Sequence, residues 1–181
     1  MTVANMITVL RVILVPIFVI YMINGRTFAA LVIFSIATIS DALDGFIARV
    51  FHQKSTLGAH LDPLADKILL STAYIILAIF KMIPSWLTVL IISRDVIILL
   101  GVLVFYLTHY PVTIHPSILS KATTCIQLAT VLIVLSRSYI DIPFFNPYLF
   151  WLAGFLTIAS GLQYIRIGLI ILSKGANSNF A

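Results

Sequence analysis

Residues 41–66 read DALDGFIARVFHQKSTLGAHLDPLAD, and this stretch carries four of the six acidic residues of a 181-residue chain. The rest of the chain is strongly apolar, since 61% of all residues are hydrophobic and only 9% are charged. A soluble domain has about one quarter charged residues. The composition therefore predicts an all-helical integral membrane protein that forms one domain over residues 1–181, with an acidic cluster inside it.

Six apolar runs are long enough to cross a bilayer, and turn residues separate them. They cover about residues 6–23, 28–50, 62–82, 85–108, 117–136 and 145–172. The first run contains Arg11 and is followed by no small-residue cleavage site, so we interpret it as a span rather than a signal peptide. An even number of spans places both termini on the same side of the membrane.

The distribution of Lys and Arg predicts the orientation. With a cytoplasmic N-terminus, seven basic residues lie on or near the cytoplasmic side and three lie outside. The seven are Arg11, Arg49, Lys54, Lys67, Lys121, Arg166 and Lys174, and the three are Arg26, Lys81 and Arg137. The excess of positive charge favours cytoplasmic termini.

The acidic cluster is expensive in such surroundings, because one carboxylate at the centre of a spanning helix costs about 2.5–3.5 kcal/mol. Asp41 and Asp44 are spaced i, i+3 and share a face near the cytoplasmic end of the second span. Asp62 and Asp66 are spaced i, i+4 at the start of the third. We expect the intervening loop, roughly a dozen residues long, to bring the two faces together.

Four carboxylates without an equal number of nearby cations indicate bound metal. Oxygen ligands suit hard cations such as Mg²⁺ or Mn²⁺, and two divalent ions balance four carboxylates in charge. Small residues at Gly45, Ala48 and Gly58 let a ligand approach the backbone, and Arg49 offers a planar donor group suited to phosphate. The structural alternative is that the acids form ion pairs with Arg49, Lys67 and Arg94.

The complete pattern, Asp-x2-Asp-Gly-x2-Ala-Arg-x8-Gly-x3-Asp-x3-Asp, resembles the signature of the CDP-alcohol phosphotransferase family. The opening Asn5-x2-Thr8-x2-Arg11 resembles the members of that family that use CDP-diacylglycerol. The resemblance implies a homodimer of six-helix protomers with a short N-terminal interfacial segment. It also implies a two-metal site that opens to the cytoplasm, here at a bacterial inner membrane.

The resemblance further implies the roles of the motif residues. Asp41, Asp44, Asp62 and Asp66 would ligate metal, Asp66 would also be the general base, and Gly45, Ala48, Arg49 and Gly58 would hold the CDP group. The implied reaction moves a phosphatidyl group from CDP-diacylglycerol to an alcohol and releases CMP. An alcohol is too weak an acid for a carboxylate to ionise it beforehand, so Asp66 would take the proton as the new P–O bond forms.

The acceptor alcohol depends on residues outside the acidic motif. Ser93-Arg94-Asp95-Val96 and Ser120-Lys121-x2-Thr124-x2-Gln127-Leu128 resemble the members that join CDP-diacylglycerol to phosphatidylglycerol and form cardiolipin. Members that use glycerol-3-phosphate typically have basic residues where this chain has Val102 and Thr123. We therefore favour phosphatidylglycerol, with glycerol-3-phosphate as the alternative and inositol phosphate or other alcohols left open.

The candidate ligands of the acceptor phosphate are Arg94, Lys121 and Lys67, and each has a structural alternative. Arg94 could pair with Asp95, although adjacent residues do not face each other on a helix. Lys121 and Arg11 could instead reach lipid headgroups. Lys67 could hold phosphate or offset the carboxylates.

Two other classes of protein compete with the enzyme. An ion-coupled transporter also carries intramembrane acids, but it would show repeated or discontinuous helices, and neither pattern is clear here. In a structural or assembly protein the acidic cluster would be an unexplained cost. Elsewhere, Gly154 and Gly161 predict close helix packing in the last span, and Tyr148, Phe150 and Trp151 predict an aromatic belt.

Overall fold

The computed structural model describes the backbone of residues 3–51, 56–107, 118–137, 139 and 146–178, and the side chains of residues 10–40, 67–101, 118–137, 139, 147–168 and 170. Its helices are α1 (Val3–Ile23), α2 (Thr27–Phe51), α3 (Thr56–Ile79), α4 (Ser85–Leu107), α5 (Ile118–Ser136) and α6 (Asn146–Ser178). The described residues contain no β-strand. The all-helical prediction is confirmed, and each of the six apolar runs corresponds to one helix.

The start of α3 differs from the prediction. The helix begins at Thr56 rather than at residue 62, so Gly58 and Asp62 lie inside it and Asp66 lies near its middle. Only residues 52–55, which lie outside the described backbone, separate α2 from α3. The apolar run stopped at polar residues because hydropathy measures side chains, whereas a helix is held by backbone hydrogen bonds that polar residues also form.

The first helix also differs from the expectation, because α1 continues without a break from Val3 to Ile23 and includes Pro16. In this range the interfacial segment implied by the resemblance is not a separate element. A proline inside an apolar helix is tolerated when neighbouring helices support the backbone around it. After α1, Gly25 turns the chain with a positive φ of 70°, and the amide of Arg26 donates to the carbonyl of Tyr21.

Two helical segments with described side chains are long and apolar enough to cross a bilayer, namely Ile118–Ser136 and Pro147–Gly168. In each segment, 33% of the apolar stretch is buried inside the protein. A core helix of a soluble protein would be mostly buried, so these segments present an apolar outer surface. Large exposed residues on other helices continue that surface, for example Ile79 and Val89. Tyr148 and Trp151, predicted to lie in an aromatic belt, are both 70% exposed.

Helices α1, α5 and α4 make the main packing contacts of the bundle. Helix α1 packs against α2 and α3, α5 packs against α2, α3 and α6, and α4 packs against α3 and α6. Phe18 of α1 meets Phe34 of α2 with a ring-centroid distance of 5.8 Å. The buried core continues through Tyr74 and Leu77 of α3 and Leu135 of α5.

Side-chain contacts fix the helix directions. Trp86 lies against Gly154, and further along both helices Arg94 contacts Ser160, so α4 and α6 run parallel. Helix α5 is antiparallel to α6, because Ser120 joins Ser160 at Arg94 whereas Gln127 contacts Thr157. Each contact set therefore occupies a defined level of the bundle.

Two of these levels along the bundle are the polar cluster and the aromatic cluster. The polar cluster consists of Lys67, Arg94, Asp95, Ser120 and Ser160, and the aromatic cluster consists of Trp86, Trp151 and Gly154.

Candidate active site

The two halves of the acidic motif lie on consecutive helices. Asp41, Asp44, Gly45, Ala48 and Arg49 belong to α2, and Gly58, Asp62 and Asp66 belong to α3. Both helices pack against α1. The last turns of α2 and the first turns of α3 are separated by residues 52–55 alone, so both halves of the motif belong to the same end of the bundle.

The side chains of residues 41–66 lie outside the described part of the chain. The predicted metal ligands and CDP-binding residues therefore stay predictions. Their chemistry fits a hard divalent cation, because four carboxylates on two consecutive helices would supply anionic oxygen ligands. Among the residues with described side chains there is no group of three or more His, Cys, Asp and Glu that could hold a metal.

Directly after the motif, the structure describes an ion-pair network centred on Asp95. The Asp95 carboxylate is 4% exposed, and its Oδ1 accepts hydrogen bonds from both Lys67 Nζ and Arg94 Nη1. The Arg94 bond is 2.8 Å long. Lys67 is the residue next to Asp66 in α3, so the network adjoins the acidic motif.

The other end of the Arg94 guanidinium is held by two hydroxyl groups. Arg94 Nη2 donates to Ser120 Oγ and to Ser160 Oγ, each at 2.7 Å. The guanidinium carbon also lies 5.9 Å from the ring centre of Tyr164, within the range of a cation–π contact. Arg94 of α4 is thus held by Ser120 of α5 and Ser160 of α6. Through Asp95 it is also linked to Lys67 of α3.

Gly161 lies beside the aliphatic stem of Arg94. A Cβ atom at Gly161 would lie 3.5 Å from Arg94 Cγ, which is ordinary van der Waals contact. The predicted close packing at Gly161 is therefore against the aliphatic stem of the arginine. At Gly154 the packing is tighter, because a Cβ there would lie 2.9 Å from Cζ3 of Trp86.

The structure corrects the interpretation of Arg94. The expectation that adjacent residues on a helix do not pair is wrong for Arg94 and Asp95. The helical spacing argument concerns the directions of the Cβ atoms, whereas a long arginine side chain can curve back to its neighbour. Arg94 is 4% exposed and its two Nη atoms are engaged within the protein.

Among the described residues, the polar cluster contains two cations, Lys67 and Arg94, which share the Asp95 carboxylate. Arg94 and Asp95 are buried, whereas the Lys67 side chain is 27% exposed. Two buried atoms, Arg94 Nε and Asp95 Oδ2, have no hydrogen-bond partner among the described residues. Buried polar atoms are nearly always hydrogen-bonded, so a polar ligand or ordered water is expected to complete the cluster.

A second polar contact set joins α5 to α6 and α3. Gln127 Nε2 donates to Thr157 Oγ1 at 3.1 Å, and the Tyr74 hydroxyl donates to the carbonyl of Gln127 at 3.1 Å. Thr123 reaches the carbonyl of Leu156 at 3.2 Å. These bonds join α5 to α6 and α3 without contacting Arg94 or Asp95.

Lys121 and Arg11, two further predicted basic residues, differ in burial. Lys121 is exposed on α5, so either of its predicted roles is compatible with its position. Arg11 is only 1% exposed, and the interpretation of Arg11 as a headgroup-reaching residue is wrong. Its helix is covered by α2 and α3, which leaves the arginine inside the bundle.

Sequence reasoning missed Ser160 and Tyr164 as partners of Arg94 and treated Asp95 only as a possible neighbouring ion. A usable signal was present in α6. Ser160 and Tyr164 are spaced i, i+4 and share one face with Gly161 beside it, so one face of α6 combines a hydroxyl group, an aromatic ring and a gap. Such a face suits a long planar cation.

Comparison with known proteins gives concordant matches. A sequence model described as CDP-alcohol phosphatidyltransferase matches residues 1–159. The cardiolipin synthase (CMP-forming) of Homo sapiens is 36% identical over 192 residues, which cover 92% of this chain and 62% of the human protein. The probable cardiolipin synthase (CMP-forming) of Drosophila melanogaster is 33% identical over 184 residues, which cover 91% of this chain and 57% of the fly protein.

A bacterial relative matches over nearly its whole length. The CDP-diacylglycerol–glycerol-3-phosphate 3-phosphatidyltransferase of Bacillus subtilis (strain 168) is 35% identical over 179 residues, which cover 88% of this chain and 91% of that protein. The chain thus spans 57–62% of the length of the two animal relatives. The matches agree on the family and divide between two acceptor alcohols.

Proposed function

This chain belongs to the CDP-alcohol phosphatidyltransferase family, and we propose that it is an integral membrane enzyme that moves the phosphatidyl group of CDP-diacylglycerol to an alcohol. CMP is the second product. The observation that carries the proposal is the acidic motif on α2 and α3 directly followed by the cationic Lys67–Asp95–Arg94 network. The motif supplies oxygen ligands, and the network supplies positive charge for a phosphate.

In the proposed mechanism the acceptor hydroxyl attacks the phosphorus that bears the diacylglycerol group. The new P–O bond forms, the bond from that phosphorus to the oxygen of the CMP phosphate breaks, and the hydroxyl proton passes to the Asp66 carboxylate. Proton transfer accompanies bond formation because a carboxylate is far too weak a base to ionise an alcohol in advance. Gly45, Ala48, Arg49 and Gly58 hold the CDP group close to the helix backbone.

Asp41, Asp44, Asp62 and Asp66 are the proposed ligands of two divalent cations, Mg²⁺ or Mn²⁺. When bound, such ions neutralise the pyrophosphate and stabilise the departing CMP. The four aspartates fit this role because hard cations prefer carboxylate oxygens.

We propose phosphatidylglycerol as the acceptor, so that the product is cardiolipin. The described polar cluster offers two cations, Lys67 and Arg94, beside one carboxylate, and a phosphodiester carries a single charge. The phosphate of glycerol-3-phosphate is nearly dianionic at pH 7 and would need further cations in the same place. Lys121, on α5 beside Ser120, is a further proposed ligand of the acceptor phosphate, together with Lys67 and Arg94.

Glycerol-3-phosphate remains the second candidate because of the Bacillus relative, whose length this chain matches at 91% coverage. For either acceptor we propose a homodimer with six spans per protomer, cytoplasmic termini and a cytoplasm-facing site at a bacterial inner membrane. The excess of basic residues on one side supports that orientation.

The proposed function is tested by acceptor competition. Purified protein in mixed micelles receives CDP-diacylglycerol with a labelled phosphatidyl group, Mg²⁺, phosphatidylglycerol and glycerol-3-phosphate. Labelled cardiolipin with equimolar CMP is expected. A labelled phosphatidylglycerophosphate product would overturn the preferred acceptor, and the absence of CMP from folded protein with every acceptor would overturn the enzyme assignment.

A further inference from the structure

We propose that the work of binding the acceptor phosphate is divided within the polar cluster. Lys67 touches the phosphate, and Asp95 is a positioning residue that holds Lys67 against the buried Arg94. This inference rests on the proposed function and deepens it. It reverses the emphasis of the sequence-based prediction, in which Arg94 itself was a leading ligand of the phosphate.

Accessibility separates the two cations. Arg94 is 4% exposed, and both of its Nη atoms already donate to groups of this chain. The Lys67 side chain is 27% exposed. A phosphate at the edge of the cluster therefore meets the ammonium group of Lys67 before it meets the guanidinium of Arg94.

Asp95 determines where that ammonium group lies. A lysine side chain is flexible and loses considerable conformational entropy when it is fixed in one place. Here Asp95 Oδ1 accepts from Lys67 Nζ and also from Arg94 Nη1. Arg94 is fixed in turn by Ser120 and Ser160, so the position of Lys67 is set by helices α4, α5 and α6 together.

The cluster is unlike an ion pair kept for stability alone. Burying charged groups costs free energy that their attraction only partly offsets, so a purely structural pair needs its other polar atoms satisfied. Asp95 Oδ2 and Arg94 Nε are buried and have no hydrogen-bond partner among the described residues. Arg94 Nε, beside the partly exposed Lys67, is a spare donor from which a phosphate oxygen can accept, whereas Asp95 Oδ2 only accepts and needs a donor such as ordered water.

Steady-state kinetics of Asp95→Asn tests the positioning role. The amide keeps the shape of the carboxylate but loses its charge, so the ion pair that joins Lys67 to Asp95 is lost. The KM for phosphatidylglycerol is expected to rise about tenfold, which corresponds to one charge-assisted contact. The KM for CDP-diacylglycerol is expected to change less than about twofold, and Asp95→Glu is expected to recover part of the loss.

Thr157→Val is the matched control. It removes a buried hydroxyl that bonds Gln127 in the same α5–α6 interface but does not contact the polar cluster. Its thermal stability is expected to fall while both KM values stay unchanged. An equal rise of the acceptor KM in Thr157→Val and Asp95→Asn would mean that any loosening of the interface produces the effect, and would overturn the proposal.

A double-variant cycle tests whether Asp95 acts through Lys67. Lys67→Gln is expected to raise the acceptor KM about as much as Asp95→Asn, and the double variant is expected to add little further. Additive effects would overturn the division of labour. Should Asp95→Asn not fold, Ser160→Ala loosens Arg94 from the other side, and the same acceptor-specific KM rise, about threefold, is expected.

The outcomes separate this inference from the proposed function. A wild-type protein that releases no CMP with any acceptor contradicts the function itself. A wild-type protein that releases CMP, together with a folded Asp95→Asn variant of unchanged acceptor KM, contradicts only the positioning role.

Discussion

At the aromatic cluster, the indole ring of Trp86 lies over Gly154, whereas at the polar cluster the guanidinium of Arg94 lies between Ser160 and Ser120. The same two helices, α4 and α6, make both contacts, about 12 Å apart along α4. At the aromatic cluster, the helices are held by close packing of the Trp86 ring against the backbone of Gly154. The polar cluster is held by charge, and two of its buried polar atoms lack partners among the described residues.

The difference separates the requirements of folding from those of function. In a membrane, helices associate through close packing at small residues rather than through the hydrophobic effect, and the aromatic cluster meets that requirement. The polar cluster is a costly way to join helices, so its position beside the acidic motif fits the proposed role in binding. Substitutions at the two levels should therefore change different measurable quantities.

The largest expected effect concerns the acidic motif, which adjoins the polar cluster. Chelation of divalent cations with EDTA is expected to abolish CMP release, because the pyrophosphate charge and the four carboxylates would no longer be neutralised. Activity is expected to return with added Mg²⁺ or Mn²⁺, as measured by CMP release. Full activity in EDTA-treated, metal-free protein would contradict the two-metal site.

Asp66→Asn is expected to lower kcat by at least about 100-fold, because a positioned general base contributes roughly 10²–10⁴ in rate. Thermal unfolding in detergent should be little changed, since the amide retains the size of the acid. Trp151→Phe, at the aromatic cluster, provides the comparison and should keep kcat within about twofold of the wild type. A near-normal rate in Asp66→Asn would remove Asp66 from its assigned role.

Both of those tests concern a motif that sequence alone identified. Apolar runs located the six helices because membrane-spanning length is visible in hydropathy. They missed the start of α3 at Thr56, since polar residues continue a helix without continuing an apolar run. The pairing of Arg94 with Asp95 was only an alternative, because helical spacing fixes the Cβ directions but not the course of a long side chain. The burial of Arg11 could not be predicted, because it depends on which helices neighbour α1. The side chains of the four motif aspartates lie outside the described residues, so their roles stay predictions.

A matched pair of glycine substitutions sharpens the comparison in terms of stability. Gly154→Ala places a Cβ 2.9 Å from the Trp86 ring, whereas Gly161→Ala places one 3.5 Å from Arg94 Cγ. Both changes gain the same helix propensity, so their difference isolates the ring contact. We expect Gly154→Ala to be less stable than Gly161→Ala by about 1–3 kcal/mol, as measured by thermal unfolding. Equal stability would show that the indole moves aside freely.

The smallest expected effect lies in the turn between α3 and α4. Lys81 has a positive φ of 56°, a conformation that a residue with a Cβ adopts at a cost and glycine adopts freely. Lys81→Gly is expected to raise the free energy of unfolding by no more than about 1 kcal/mol and to leave the acceptor KM unchanged. Gly25→Ala, at a turn with a φ of 70°, should show the opposite sign. A change of acceptor KM in Lys81→Gly would contradict the assignment of acceptor binding to the polar cluster.

The early start of α3 has a consequence for how a nucleotide is enclosed. Between Phe51 and Thr56 the chain can reach at most about 18 Å when fully extended, so the two acid-bearing segments form a hairpin on a short tether. A connection of this length limits how far the facing ends of α2 and α3 can part. Under the proposed function, shielding of the CDP group from water would fall mainly to the helix surfaces themselves and to the lipid headgroups around them.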